Sequence, residues 1–281
     1  MGRKVILSRK GFDETTGGKP SPIIDNKFIS LPIPRADSDV FYKDLRLNQD
    51  ENYLTVMKDM GIKFYSEAHL DPDLKSDVKE SRDKNWRGLF GQSGKSQKRL
   101  MDEGVGEGDI FLYFGWFREA KKTKERWRYV PQAPNIHAIF GFLEVGKVID
   151  ISADDTLPSW AKYHPHFKDQ HEYGDKFNSI YIATPKFTKC ESKPGWGCFN
   201  YDKQLILTKE GAKNKSLWEL PSCFQEERDQ FYPKMDVWKI LSNGTVELQP
   251  VGRGDQEMYI SSNPDVVRWA EDLIKSCPIY T

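Results

Sequence analysis

Residues 110–117 read Ile-Phe-Leu-Tyr-Phe-Gly-Trp-Phe. The run is aromatic and β-branched, with no charge, and it follows the turn-forming pair Gly108–Asp109. That composition predicts a strand buried on both faces. Some 25 residues later a second apolar stretch, residues 137–151 (His-Ala-Ile-Phe-Gly-Phe-Leu-Glu-Val-Gly-Lys-Val-Ile-Asp-Ile), has the length to return beside it. Working outward, strands are expected at residues 4–7, 178–183 and 205–208, with an extended segment at 28–34 that is rich in proline. Helical spacing of apolar residues predicts helices at 52–60, 96–103 and 264–276, the last with Asn263 as its cap. Residues 8–22 and 86–94, dense in Gly and Pro or Gly alone, read as loops, and residues 217–220 and 231–237 flank short helical or loop pieces. Strands cluster centrally and do not alternate with helices. The pattern is therefore α+β, with a mixed, strongly bent or barrel-like central sheet and peripheral helices, not a doubly wound parallel sheet. No linker stands out, so residues 1–281 are expected to form a single domain.

The chain has 281 residues with 42 Lys+Arg against 42 Asp+Glu, a net charge of zero. That excludes a protein that coats nucleic acid by bulk charge, but not a local basic face. Aromatic residues make up 13%, enough for a folded core. No apolar run approaches the roughly 18 residues of a membrane span, and residues 1–10 lack the apolar stretch of a signal peptide. Cys190, Cys198, Cys223 and Cys277 have no Cys-x-x-Cys spacing. A zinc knuckle is thus unexpected, and reduced thiols in a cytoplasmic protein are expected.

Several segments carry chemistry. His69-Leu70-Asp71-Pro72-Asp73 sets an imidazole beside two carboxylates, which in an extended chain share a face. Such a face can bind a divalent metal or supply a general base; alternatively Asp71 caps a helix. Trp86-Arg87-Gly88-Leu89-Phe90-Gly91-Gln92-Ser93-Gly94 offers Arg87 as a phosphate fork and Gln92 as a base-edge reader. His164-Pro165-His166 holds two of the chain's five histidines, and a third ligand for a metal there would come from His69 or His171. No metal site is assigned from the sequence. Residues 118–128 carry six basic and two acidic side chains between two strands, a loop or ribbon able to hold a nucleic-acid backbone through Lys121, Lys122, Lys124, Arg126 and Arg128. Trp116, Trp127 and Tyr129 lie near enough to stack on a base. Loops after the first and a late strand present Arg9, Asp13, Ser21 and Arg253.

Taken in order, Lys10-Gly11-Phe12-Asp13, Gly17-Gly18-Lys19-Pro20-Ser21-Pro22-Ile23, Leu31-Pro32-Ile33-Pro34, the His69–Asp73 and Phe90–Gly94 segments, residues 108–117, His164-Pro165-His166 and Val251-Gly252-Arg253-Gly254 resemble the type 3 nucleotide-modification-associated domain of bacteria and phages. Residues 108–151 alone resemble the strand pattern of PUA-like barrels. The wider resemblance implies a protein that modifies or processes a nucleobase, in DNA or as a free nucleotide. In that reading His69, Asp71 and Asp13 are catalytic, and Arg9, Ser21, Arg87, Gln92, Trp116 and Arg253 bind substrate. A base in duplex DNA has to be flipped out to reach them. Two alternatives remain at this level: a PUA-like reader of modified bases without chemistry, and a metal-dependent nuclease using His69, Asp71 and Asp73. The reaction, any cofactor and the oligomeric state are not legible.

Overall fold

The computed structural model describes residues 2–36, 38–80, 82–151, 157–168, 177–232, 235–250 and 256–281. Its centre is a mixed sheet of 11 strands. The main path runs Glu257–Ser261, Val5–Arg9, Ile110–Thr123, Ile136–Asp150, Asn178–Ala183, Leu89–Ser93. Val5–Arg9 pairs parallel with Ile110–Thr123 and antiparallel with Glu257–Ser261; the rest of the path is antiparallel. The quoted apolar run is the middle of this sheet. Ile110 through Phe114 are fully buried because helices and loops cover both faces.

The sheet does not close into a barrel by backbone pairing, but it curls until its two ends meet. Register shifts at Tyr113/Phe114 and at Ile182/Ala183 bend it. Phe90 on the last strand packs on Phe111, three positions away along the path, with ring centroids 4.9 Å apart, and stacks on Tyr181 at 5.6 Å. Across the seam, Gln92 Nε2 donates to Glu257 Oε1 at 2.6 Å and Arg99 Nη1 donates to the Glu257 carbonyl at 2.8 Å. Side chains join the two edges where a barrel would use a ladder. The expected α+β fold with a bent mixed sheet is thus found, but the sheet is not a closed barrel, and the PUA-like barrel expected from residues 108–151 is not what forms.

Gly108–Asp109 is a clamp for this sheet. Gly108 has φ of 87°, and Asp109 accepts the Lys4 N–H at 2.7 Å and the Gly106 N–H at 2.9 Å. The turn is thereby tied to the start of the neighbouring parallel strand. Helix Tyr53–Asp59, capped by the Asn52 side chain, covers a second apolar cluster that includes Tyr42, Val56 and Trp127. Helix Pro264–Ser276 buries Val266, Ala270, Leu273 and Ile274.

Three expectations change. Residues 205–208 are not a strand; Lys203–Leu205 is a 3-10 turn, and only single bridges hold Ala138 to Ile206 and Thr208 to Trp218. The glycine-rich stretch 86–94, expected as a loop, contains the strand Leu89–Ser93. Trp218–Leu220, Val246–Pro250 and Met235–Ile240 form a separate small sheet. The basic segment is a ribbon: Ile110–Thr123 runs on past the core and pairs with Arg126–Tyr129 through a two-residue turn, with Lys124 at φ 50° and Glu125 at φ 60°. Positive φ at both positions is the turn that matches strand twist. No helix among the described residues is long and apolar enough to cross a membrane, and the four cysteines are free.

Phe111 touches three rings from two other strands and its own across the curled interior. Phe111→Ala is therefore expected to cost about 3–5 kcal/mol of stability, read as a lower denaturant midpoint with an unchanged slope.

Candidate functional site

The short strand Ala68–His69 pairs with Ile33–Pro34, with His69 opposite Ile33. The chain then turns, the Asp71 N–H donating to the His69 carbonyl at 2.9 Å, and reaches the edge of Leu89–Ser93, where Asp73 and Leu89 exchange backbone hydrogen bonds of 2.8 and 2.9 Å. This path drives the Asp71 carboxylate inward. Its Oδ1 accepts the Gly91 N–H at 2.7 Å. Gly91 has no side chain for a reason: a Cβ there would stand 2.4 Å from the His166 ring and 2.8 Å from His164 Cε1.

Both of those imidazoles come from the turn that opens the short helix Pro165–Lys168. His164 Nε2 lies 3.3 Å from Asp71 Oδ1 without making a hydrogen bond to any described group. His166 Nε2 and His69 Nε2 each lie 3.9 Å from Asp71 Oδ2. The ring centroids of His69 and His166 are 5.3 Å apart. The carboxylate thus splits its duties: Oδ1 faces the Gly91 amide and His164, and Oδ2 faces His69 and His166. The His166 ring is fixed from behind. Asn178 Nδ2 donates to the His166 carbonyl at 2.8 Å, which turns Asn178 Oδ1 toward His166 Nδ1 at 2.9 Å. That nitrogen therefore carries the proton, and the lone pair sits on Nε2.

Burial sets the charge states. It pushes His69 well below its ordinary value and His166 down to about 4, and the Asp71 charge only partly opposes this. Burial alone would raise Asp71, but His164, His166 and Lys10 more than reverse it and hold the carboxyl below the usual carboxylate range. Near neutral pH the Asp71 carboxylate therefore faces neutral imidazoles at His69 and His166.

His69, Asp71 and His166 line a cavity of about 220 Å³ with Arg9, Lys10, Asp13, Arg35, Gln92 and Gln256 among its other walls. Three of these side chains are cationic. An adjoining cavity of about 120 Å³ shares Arg9 and Asp13 and adds Trp116, His137 and Lys215; Lys215 Nζ stands 4.6 Å over the Trp116 ring.

The structure gathers some expected residues and separates others. Arg9, Asp13, His69, Asp71 and Gln92 share one cavity. Asp13 Oδ1 also holds its own turn, accepting from Thr15 N, Thr15 Oγ1 and Thr16 N at 2.8, 2.8 and 2.6 Å. Gln92 is engaged at both ends, by Ser93 N at 3.0 Å and by Glu257 at 2.6 Å, so its amide braces the seam instead of facing a base. Trp116 stands in the adjoining cavity, with Nε1 donating to Asn135 at 3.0 Å. Ser21 is buried, its hydroxyl accepting the Leu31 N–H at 3.0 Å. Arg87 points elsewhere and donates to the Ala183 carbonyl at 3.0 Å. Arg253 and His171 lie outside the described residues. Asp73 does not join His69 and Asp71: its carboxylate is bound by Arg82 at 2.7 Å and by the Tyr163 hydroxyl, so the set required by the nuclease alternative is not assembled. Lys121, Lys122, Lys124, Arg126 and Arg128 are exposed along the ribbon, with Lys122 3.2 Å from Glu51. Trp127 is buried, its Nε1 donating to Glu51 at 2.9 Å, and is not free to stack.

Sequence reasoning missed Lys10, Arg35, Gly91 and Asn178. Gly91 carried a signal, a glycine inside the short run Leu-Phe-Gly-Gln-Ser, which in a strand marks close approach of another group. Gly91→Ala is expected to displace both imidazoles and to destabilise the fold by about 1–3 kcal/mol. Thermal unfolding measures the second effect, and a crystal structure of the variant shows whether the bond from His166 to Asn178 is broken.

In comparisons with known proteins, the family model described as nucleotide modification associated domain 3 matches residues 4–260. Searches among curated proteins and among solved structures find no match.

Proposed function

The chain belongs to the nucleotide modification associated domain 3 family, and on that premise we propose that it modifies a nucleobase or nucleotide in the cavity built around His69, Asp71 and His166. The observation that carries this reading is the convergence of that buried cluster with Arg9, Lys10 and Arg35 on one cavity. Guanidinium groups match a phosphate by parallel hydrogen bonds. At about 220 Å³ the cavity is small beside the roughly 300–1,000 Å³ of drug-sized sites. A single base-sized group suits it and a duplex does not. The adjoining cavity, with Trp116 on one wall, gives an aromatic face for the part of the substrate that does not react. In this reading His69 and Asp71, which line the cavity, are the groups that meet the reacting atoms.

Where the base belongs to DNA, it is turned out of the stack to enter, and the exposed cations of the ribbon hold the flanking backbone. Exchanging Lys124 and Arg128 for Ala is then expected to weaken duplex binding. It should also flatten the plot of log affinity against log salt by about 0.9 for each phosphate that the variant no longer neutralises.

The test of the modification reading is nucleoside mass spectrometry. DNA and the free nucleotide pool are digested from cells expressing the chain or its Asp71→Asn variant. A nucleoside of altered mass is expected with the unsubstituted chain and about 10²-fold less of it with the variant. No altered nucleoside, together with tighter binding of a modified than a plain oligonucleotide, would overturn it in favour of a PUA-like reader.

A further inference from the structure

We propose that His69 Nε2, Asp71 Oδ2 and His166 Nε2 form a binding site for one divalent first-row transition-metal ion. It occupies the pocket assigned above to nucleotide modification, and the inference stands on its own geometry.

The three ligand atoms all lie within 4.8 Å of one another, and all three residues are buried. An ion about 2.1 Å from each of its ligands sets them about 3–3.5 Å apart. The two 3.9 Å separations from Asp71 Oδ2 therefore close by less than an ångström around an ion, and the pair of imidazole nitrogens, within 4.8 Å, by less than two. Two imidazoles and one carboxylate on one side of an ion leave its other positions open, and here the opposite side is the cavity.

What surrounds the cluster points the same way. Asn178 Oδ1 takes the Nδ1 proton of His166, at 2.9 Å. That is the outer support by which a metal-binding imidazole is held in the correct tautomer. It leaves the Nε2 lone pair on the side of Asp71 Oδ2, 3.9 Å away. The other carboxylate oxygen is already committed to the Gly91 N–H at 2.7 Å. On that side His164, fully buried, brings Nε2 to 3.3 Å of Oδ1 without completing a hydrogen bond. His164 Nδ1 accepts the His166 N–H at 3.4 Å, which ties the two histidines of the turn to each other. Arg9 and Arg35 line the same cavity as the open positions.

Binding of Co²⁺ to the chelator-stripped, desalted chain tests this, followed by visible absorption and by equilibrium dialysis with elemental analysis. One Co²⁺ per chain is expected. His69→Ala and His166→Ala should each abolish binding while keeping the far-ultraviolet dichroism, and Cys190→Ser should bind as the unsubstituted chain does. Asn178→Ala should bind about 10–100-fold more weakly. Absence of bound Co²⁺ in the unsubstituted chain, or full stoichiometry in both histidine variants, overturns the proposal. If a ligand variant does not fold, the stoichiometry of the unsubstituted chain and the weakening in Asn178→Ala decide it. The two readings of the pocket fail separately: Co²⁺ bound without any altered nucleoside sinks the modification reading alone, and an altered nucleoside made by a chain that binds no metal sinks this one alone.

Discussion

A carboxylate removed from water is costly, and Asp71 is almost fully buried. Its surroundings are arranged to offset that cost. The Gly91 amide donates to one oxygen, His164 stands behind the same oxygen, and the Lys10 charge acts on it from farther away. Each provision constrains another part of the chain. Gly91 has to be a glycine, the 164–166 turn has to pack on the face of Leu89–Ser93, and Asn178 has to begin the next strand so that it can brace His166. None of this improves the apolar core, which is complete without it. A buried ionised group set among imidazoles is costly for stability and is understandable as a site.

The depressed basicity of the cluster bears on what it can do. A general base works best with a pKa near the ambient pH, and His166, at about 4, is far from that. Simple proton abstraction by these side chains is thus inefficient unless a substrate or ion changes their environment.

The core was legible because its signals are local. The run at 110–117 is too apolar and too short for anything but a strand with both faces covered, and the helix Pro264–Ser276 announces itself through Asn263 and its spacing. The Leu89–Ser93 strand was obscured because the glycine that makes room for His166 weakens β propensity at the place where function needs a strand. The site was half legible for a similar reason. His69 and Asp71 are neighbours in sequence, so their pairing could be seen. His166 is brought in from about a hundred residues away; the sequence offered His69 as a partner for His164 and His166 but not Asp71 as the group between them, because no spacing encodes that packing. Asp73 reads like a third member of the cluster, but the turn after Asp71 sends it to Arg82 and Tyr163. Arg87 and Ser21 have the right chemistry and the wrong direction; the Ala183 carbonyl and the Leu31 amide take up their hydrogen-bonding groups.

The seam of the sheet and the site are one feature. An unpaired strand edge exposes backbone donors and acceptors that must be satisfied or covered. Here the two edges are joined by Gln92, whose Nε2 donates to Glu257 Oε1 at 2.6 Å and to Gln256 Oε1 at 3.2 Å. A backbone ladder at this place would have closed the barrel and left no room for the cavity; side chains hold the edges together and still allow an opening beside them. Gln92 and Gln256 serve both purposes, since each braces the seam and lines the cavity wall. Net charge follows the same economy. With 42 cations against 42 anions in the chain, attraction to a polyanion has to come from placement, and the structure places Arg9, Lys10 and Arg35 at the cavity and the exposed cations of the ribbon at the end of a long core strand.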